Sequence, residues 1–265
     1  MAGIKTPVRL YAALFLLLIT FVPAAVSVFW TPYPLEDTSG GRLEGPSAVH
    51  LFGTDRLGRD LASYVMAGSR IAYSIGLSAT LLAALLGITG GLLAAWLPPW
   101  ADNAASSFLD VLIAFPTLLL AMLIGAAQGK STGTAVVSIG IACSAVIARL
   151  TRILAKQIMA KPFFVSARTS GTGNLAITFI HILPNIWQVL SVNVAVLFGV
   201  SILAEASLSD LGLGVPPPNA SLGRLMQEAQ STVLPGLVIV LIVTGVNLLA
   251  DAVRDKWDTG GALGR

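Results

Sequence analysis

"FFVSARTSGTGNLAITFIHILPN", residues 163–185, interrupts a chain that is otherwise a succession of apolar runs. Its first half is rich in serine, threonine and glycine, its second half is apolar, and a Leu-Pro pair opens the next hydrophobic stretch. It holds no thiol, no acidic side chain and no cluster of metal ligands. A wettable interlude between two greasy runs reads as a loop that leaves a membrane and returns to it. Its side of the membrane then orients every other segment.

Of 265 residues, 55% are hydrophobic and 11% charged, against about 25% charged in a typical soluble domain. Most of the chain therefore faces lipid or other membrane helices, and the net charge of +3 matters less than where the positive residues cluster. The single cysteine, Cys143, excludes an intrachain disulfide and a thiolate-ligated metal site. Inside an apolar run it reads as a small buried residue. His50 and His181 are too far apart to suggest a metal site. The basic opening "MAGIKTPVRL" precedes about 20 apolar residues, longer than a signal-peptide core of roughly 7–15, and reads as a retained anchor and first span.

About 20 apolar residues cross the hydrocarbon layer as a helix, and only a helix satisfies its own backbone there. Runs near 10–30, 71–97, 107–127, 133–154, 183–204 and 232–252 give six spans and an all-α membrane fold. Lys and Arg favour cytoplasmic loops. Arg149, Arg152, Lys156, Lys161 and Arg168 lie around the loop between spans four and five, with no acidic residue among them. Lys5 and Arg9 precede span one, and Arg254, Lys256 and Arg265 follow span six. An even number of spans puts all three groups, and both termini, in the cytoplasm. Segments 31–70 and 205–231 then face outward, and 98–106 is a short turn without Lys or Arg.

Pro116 removes a backbone hydrogen bond from span three and predicts a kink. Asp110, near the inner end of that span, reads as a pathway residue or as a headgroup-level carboxylate pairing with a neighbouring subunit. Gly76, Gly87, Gly90 and Gly91 in span two predict close helix packing. Ser191, Asn193 and Ser201 in span five offer hydrogen bonds to a passing solute or to adjacent helices. "GLGVPPP", 212–218, reads as a turn between a short outer helix and span six.

Chemistry is not evident in the residues. "GAAQGKSTG", 125–133, has three residues between Gly125 and Gly129 where a phosphate-cradling loop needs four. There is no His-Glu-x-x-His, no Gly-x-Ser-x-Gly and no intramembrane carboxylate pair. The spans show no cluster of ionisable groups of the kind a proton-driven carrier uses. These features point away from an enzyme, an intramembrane protease and a self-contained secondary carrier, and imply that a partner supplies the work.

The loop suits such a joint. Phe163, Phe164, Val165 and Ala167 put apolar side chains on a short helix after Pro162, while Ser166, Arg168, Thr169 and Ser170 keep the rest wettable. Gly171 and Gly173 allow a sharp reversal past the helix end, and Pro184 fits the first turn of span five. A helix this short is marginal alone, but each phenylalanine buried in a partner's groove contributes roughly 1.5–3 kcal/mol.

At this point the sequence resembles the membrane permease subunits of ABC importers. Their loop between the fourth and fifth of six spans carries Glu-Ala-Ala, three residues, Gly, nine residues, then Ile-x-Leu-Pro. Here Val165-Ser166-Ala167, Gly171 and His181-Ile182-Leu183-Pro184 stand at that spacing. Val165 replaces the usual glutamate and Ser166 the first alanine, so docking is expected to be mostly apolar. "LFGTDRLGRDLASYVMAGSRIAYSIG" (51–76), "DVLIAFPTLLLA" (110–121), "HILPN" (181–185) and "AEASLSDLGLGVPPP" (204–218) look like the second permease subunit of dipeptide and oligopeptide importers.

The resemblance implies a type I ABC importer in a bacterial inner membrane. A second homologous permease completes the pathway, ATP-binding subunits (separate or fused) drive it, and an extracytoplasmic solute-binding protein delivers a peptide. The chain itself would hold no cofactor, no metal and no nucleic acid, and would catalyse nothing. It divides into a first helix with outer segment (1–70), a five-span core (71–256) with a coupling loop at about 155–182, and a short tail (257–265). Phe163, Phe164, Val165, Ser166, Ala167, Arg168 and Gly171 would meet the ATPase, with His181, Leu183, Pro184 and Pro116 shaping the motifs. Arg56, Arg59, Asp60, Asp210, Arg224 and Glu228 would either touch the binding protein or cap helices and pair with one another. Nickel, glutathione and haem permeases have similar sequences.

Overall fold

The computed structural model describes residues 6–228 and 233–262, with side chains from 8 to 228 and 233 to 255. Lys5, Arg265 and the side chain of Lys256 lie outside that description. The helices are α1 (Thr6–Val26), α2 (Leu61–Ala95), α3 (Pro99–Ala114), α4 (Thr117–Gln128), α5 (Thr132–Met159), α6 (Pro162–Thr169), α7 (Asn174–Ile177), α8 (Leu183–Asp210), α9 (Leu222–Glu228) and α10 (Val233–Ala262). A π-helical turn, Thr178–Ile182, joins α7 to α8. Among the described residues the only bridge pairs Thr54 with Asp60.

Five of these helices, α1, α2, α5, the α7–α8 run and α10, are each long and apolar enough to cross a membrane. The sixth expected span is not straight. Instead of one kinked helix at 107–127, α3 and α4 meet at 90°. Phe115 and Pro116 are extended, with ψ 130° and 125°, because a proline disfavours the helical region for the residue before it and lacks an N–H of its own. The segment 98–106, expected to be a turn, is mostly helical: Pro99 sits at the start of α3, where a missing N–H costs nothing.

α2 begins ten residues earlier than the apolar run. Asp60 caps it by accepting the Ser63 N–H at 2.8 Å, and its 35 residues give a rod of about 52 Å, longer than the hydrocarbon layer. At the other end of the chain, α10 continues through the expected tail to Ala262. The outer turn also differs in order: α8 runs unbroken to Asp210, and the short helix, α9, follows "GLGVPPP" instead of preceding it.

Glycines set the packing of α2 on α5. A Cβ on Gly87 would stand 2.6 Å from Ile147 Cβ, and one on Gly91 would stand 2.4 Å from the Ala148 carbonyl oxygen. Gly76 similarly admits Ile202 of α8. Gly90 meets nothing within 4 Å, so it takes no part. Around the α2–α5 contact Ile75, Ala79, Ala83, Ile139, Cys143 and Ile147 form a buried core, and Thr80 Oγ1 bonds Ser201 Oγ of α8 at 3.1 Å. Near the chain ends Arg9 Nη1 pairs with Asp255 Oδ2 at 3.0 Å, which puts the start of α1 and the last turns of α10 at one end of the bundle.

Gly91→Ala is expected to lower subunit stability by about 1–3 kcal/mol through overpacking. Gly90→Ala should be neutral or raise it by up to about 1 kcal/mol through helix propensity. Thermal unfolding of the two variants in detergent checks the contrast.

Candidate functional site

α5 leaves the core carrying Arg149, Arg152 and Lys156 and ends at Met159. Three of the five basic residues expected on the cytoplasmic side are paired with carboxylates of α3. Arg152 Nε bonds Asp102 Oδ1 at 2.6 Å, Lys156 bonds Asp102 Oδ2, and Arg149 Nη1 lies 3.1 Å from Asp110 Oδ1. Asp102 is buried. Asp110 thus has a partner within this chain.

From Pro162 the chain forms the two turns of α6, with proline in the first turn. Its end is closed by Gly171, at φ 80°. Gly171 N–H bonds the Arg168 carbonyl at 3.1 Å and Thr172 N–H bonds that of Ala167 at 3.2 Å. No atom crowds a Cβ at Gly171, so the glycine is required by backbone conformation and not by space.

The face of α6 differs from the expectation in one residue. Phe164 is 6% exposed and does not point outward. It packs in a cluster with Leu92 and Ala95 of α2, Ala155 and Ile158 of α5, and Ile177 and Ile182 beyond the reversal. Its ring centroid is 6.0 Å from that of Trp96. Phe163 and Val165, on either side, are 40% and 56% exposed. Ser166, Arg168 and Gly171 are exposed and Ala167 half-buried. One phenylalanine anchors the helix while its neighbours form the free surface, as a helical repeat of 3.6 residues requires.

The return path is held by residues that the sequence reading passed over. Trp96 Nε1 donates to Thr178 Oγ1 at 2.9 Å, tying the inner end of α2 to the π-helical turn. That turn sits just before Pro184, whose ring would crowd the carbonyl of Ile180 in a regular helix. Widening lets Leu183 N–H reach back to the Thr178 carbonyl. His181 lies 6.3 Å from Phe163, ring to ring, and its carbonyl accepts from Asn185 Nδ2 at 2.7 Å. Leu183 packs on the Phe164 cluster. Leu175, Phe179 and Ile180 are exposed and extend the apolar surface beyond α6. A tryptophan in the last turn of an apolar run, just before two prolines, was the available signal for the anchor.

At the opposite end the outward residues form a network. Arg59 bonds Asp55 Oδ2 at 2.6 Å, Tyr64 Oη at 2.6 Å and Glu228 Oε2, and its guanidinium lies 4.2 Å from the Tyr64 ring centre. Burial works against its charge, but the bond to Asp55 and the nearby carboxylates outweigh that and raise its pKa. Asp60 is buried, receiving both N–H and Oγ–H of Ser63 and lying 3.0 Å from His50 Nδ1. Arg224 donates to the carbonyls of Val215 and Asn219 and stands 3.6 Å from Glu228. Of the six residues expected either to touch a binding protein or to cap helices and pair with one another, Arg59, Asp60 and Glu228 hold the segment before α2 to α2 and α9, and Arg224 holds α9 to the turn at Val215 and Asn219. Arg56 remains exposed and Asp210 half-buried. Ser201 is fully buried between helices, where its Oγ accepts from Thr80 Oγ1. Ser191 bonds its own helix at the Gln188 carbonyl, and Asn193 is exposed.

The bundle of long apolar helices thus carries an anchored loop at one end and a braced cap at the other. The family of inner membrane components of binding-protein-dependent transport systems matches residues 87–259, and the chain belongs to it. It is thus a membrane permease subunit of an ABC importer. Among individual proteins it is 36% identical to the dipeptide transport system permease protein DppC of Alkalihalophilus pseudofirmus, over 92% of this chain and 82% of that one. It is also 36% identical to the glutathione transport system permease protein GsiD of Pectobacterium atrosepticum, over 96% and 88% of the two chains. The di/tripeptide transport system permease protein DppC of Pseudomonas aeruginosa is likewise 36% identical, over 92% and 86%.

Phe164→Ala is expected to cost about 3–5 kcal/mol locally and to raise protease cleavage at Lys161 and Arg168 while α2 and α5 stay protected. Arg59→Met leaves Asp55 buried without its partner, at an expected cost of about 3–5 kcal/mol, whereas Arg56→Met should leave the unfolding temperature unchanged.

Proposed function

We propose that this subunit forms half of the pathway by which an ABC importer takes up dipeptides or short oligopeptides. Its inner loop is the joint through which ATPase subunits act. The observation that carries the reading is a short helix anchored at Phe164, with Phe163 and Val165 left exposed, standing where the resemblance places the coupling helix. A push on α6 passes through Phe164 to the ends of α2, α5 and α8 together, because all three contribute to the same cluster. The second homologous permease, the ATP-binding subunits and an outer solute-binding protein complete the machine, and no chemistry falls to this chain.

Orientation with loop and termini in the cytoplasm is supported by the excess of Lys and Arg at that end. Glutathione is a second candidate cargo, favoured by the GsiD relatives and consistent with peptides, since it is itself a tripeptide.

Val165→Asp alters an exposed position and should leave folding intact. In the complex purified with its ATPase partners, it is expected to weaken docking by about tenfold or more, the equivalent of one buried valine, and to reduce ATP-driven dipeptide uptake with it. Normal uptake and normal stimulated ATPase at equal expression would contradict the assignment. So would transport by the purified chain alone.

A further inference from the structure

α10 presents a surface that neither the loop nor the cap uses. Val240, Thr244, Asn247, Asp251 and Arg254 are all exposed, and steps of four, three, four and three residues put them on one stripe of a helix. The surrounding window, Val233–Asp255, is otherwise strongly apolar. Thr244 and Asn247 stand about 16–21 Å along the axis from Val233, deep within a hydrocarbon layer about 30 Å thick. Alongside, α8 exposes Gln188 and Asn193, and a cavity of about 220 Å³ is lined by Gln188, Val189, Val192, Asn193 and Arg254. Gly199 brings the two helices together: a Cβ there would lie 3.7 Å from Asn247 Oδ1.

A hydroxyl, three amides and two ionisable groups along one seam suit water and not lipid. At mid-depth a hydroxyl and an amide that face lipid lose hydrogen bonds that water would supply, while the two ionisable groups lie at the end of the span, where water is within reach. Asn193 offsets only part of its cost by donating to the Val189 carbonyl at 2.8 Å. The larger cleft, about 590 Å³ between α1, α2, α8 and α10, is different in kind: Leu17, Phe21, Leu77, Leu81, Val194 and Phe198 give it an apolar wall.

We infer that the α10 stripe, with Gln188 and Asn193, lines the hydrated route of a small solute that carries both an ammonium and a carboxylate. The amides and the hydroxyl exchange hydrogen bonds with it at mid-depth. Asp251 and Arg254 meet its two charges near the mouth where the inner loop lies. The inference rests on the transport reading above and adds which wall the cargo follows.

The test uses single cysteines at Thr244, Asn247 and the exposed α1 residue Leu18, in the complete transporter with its partner subunits in lipid nanodiscs. Native Cys143 is buried and silent. A charged, membrane-impermeant thiol reagent should modify positions 244 and 247 at least about tenfold faster than 18, since the reacting thiolate needs water. Excess dipeptide should slow that reaction. Equally slow labelling at all three positions, both without nucleotide and with ATP trapped, overturns the inference; so does efficient crosslinking of 244 to the companion permease, which marks a dry contact. ATP-driven uptake by the unaltered complex is measured in parallel. If it is absent, the transport reading falls and this inference with it. If it is present while the stripe stays unlabelled, only this inference falls.

Discussion

Backbone contact between α2 and α5 is the constraint on which the rest of the molecule depends. In lipid there is no hydrophobic drive to bring two apolar helices together, so association must come from close packing. Gly87 and Gly91 provide it by letting α5 approach to where a methyl group would overlap Ile147 and the Ala148 carbonyl. With those two rods joined, their inner ends form the floor on which Phe164 sits, and Ser201 of α8 is drawn in through its bond to Thr80. α2, α5 and α8 are therefore held through one seam.

The loop that carries α6 shows how a segment of two helical turns can be held in one place. α6 is too short to be stable by itself, and its order comes from elsewhere: a glycine in the left-handed region at one end, a proline at the other, and a buried ring between them. Trp96 fastens the return path by a hydrogen bond at 2.9 Å. Its placement at the end of α2 matters, because it ties the loop to the span before α3 as well as to the helices on either side. The ion pairs of Asp102 and Asp110 tie α3 to α5 at the same level. The sharply bent α3–α4 pair is thus attached to the same end of the bundle.

At the outer face charge is used for structure. Asp55 has no exposed surface and is neutralised by Arg59, which also reaches Glu228 on α9. An internal network of this kind costs desolvation but specifies one arrangement of the irregular segment preceding α2. Glu205 follows the same logic within α8, where one carboxylate oxygen accepts from Ser209 and Ser221 at 2.8 and 3.1 Å.

By itself the sequence determined which runs are apolar enough to cross a membrane, where the chain breaks into a short helix between two of them, and that Gly171 must end that helix. These follow from local properties: run length and backbone freedom at one residue. It also showed that Pro116 disturbs span three, though not that the disturbance is a right angle, since the residue before a proline can either bend or leave the helix. Only the tertiary structure decided that Phe164 faces inward while Val165 faces out, that Arg59 and Asp60 are braces, that Asp110 belongs to Arg149, and that Ser201 joins helices. The reason is physical. Periodicity says which side chains share a face, but in a membrane protein lipid, protein and partner all accept apolar faces equally well. What covers a given face is settled by distance in space, which no local pattern records.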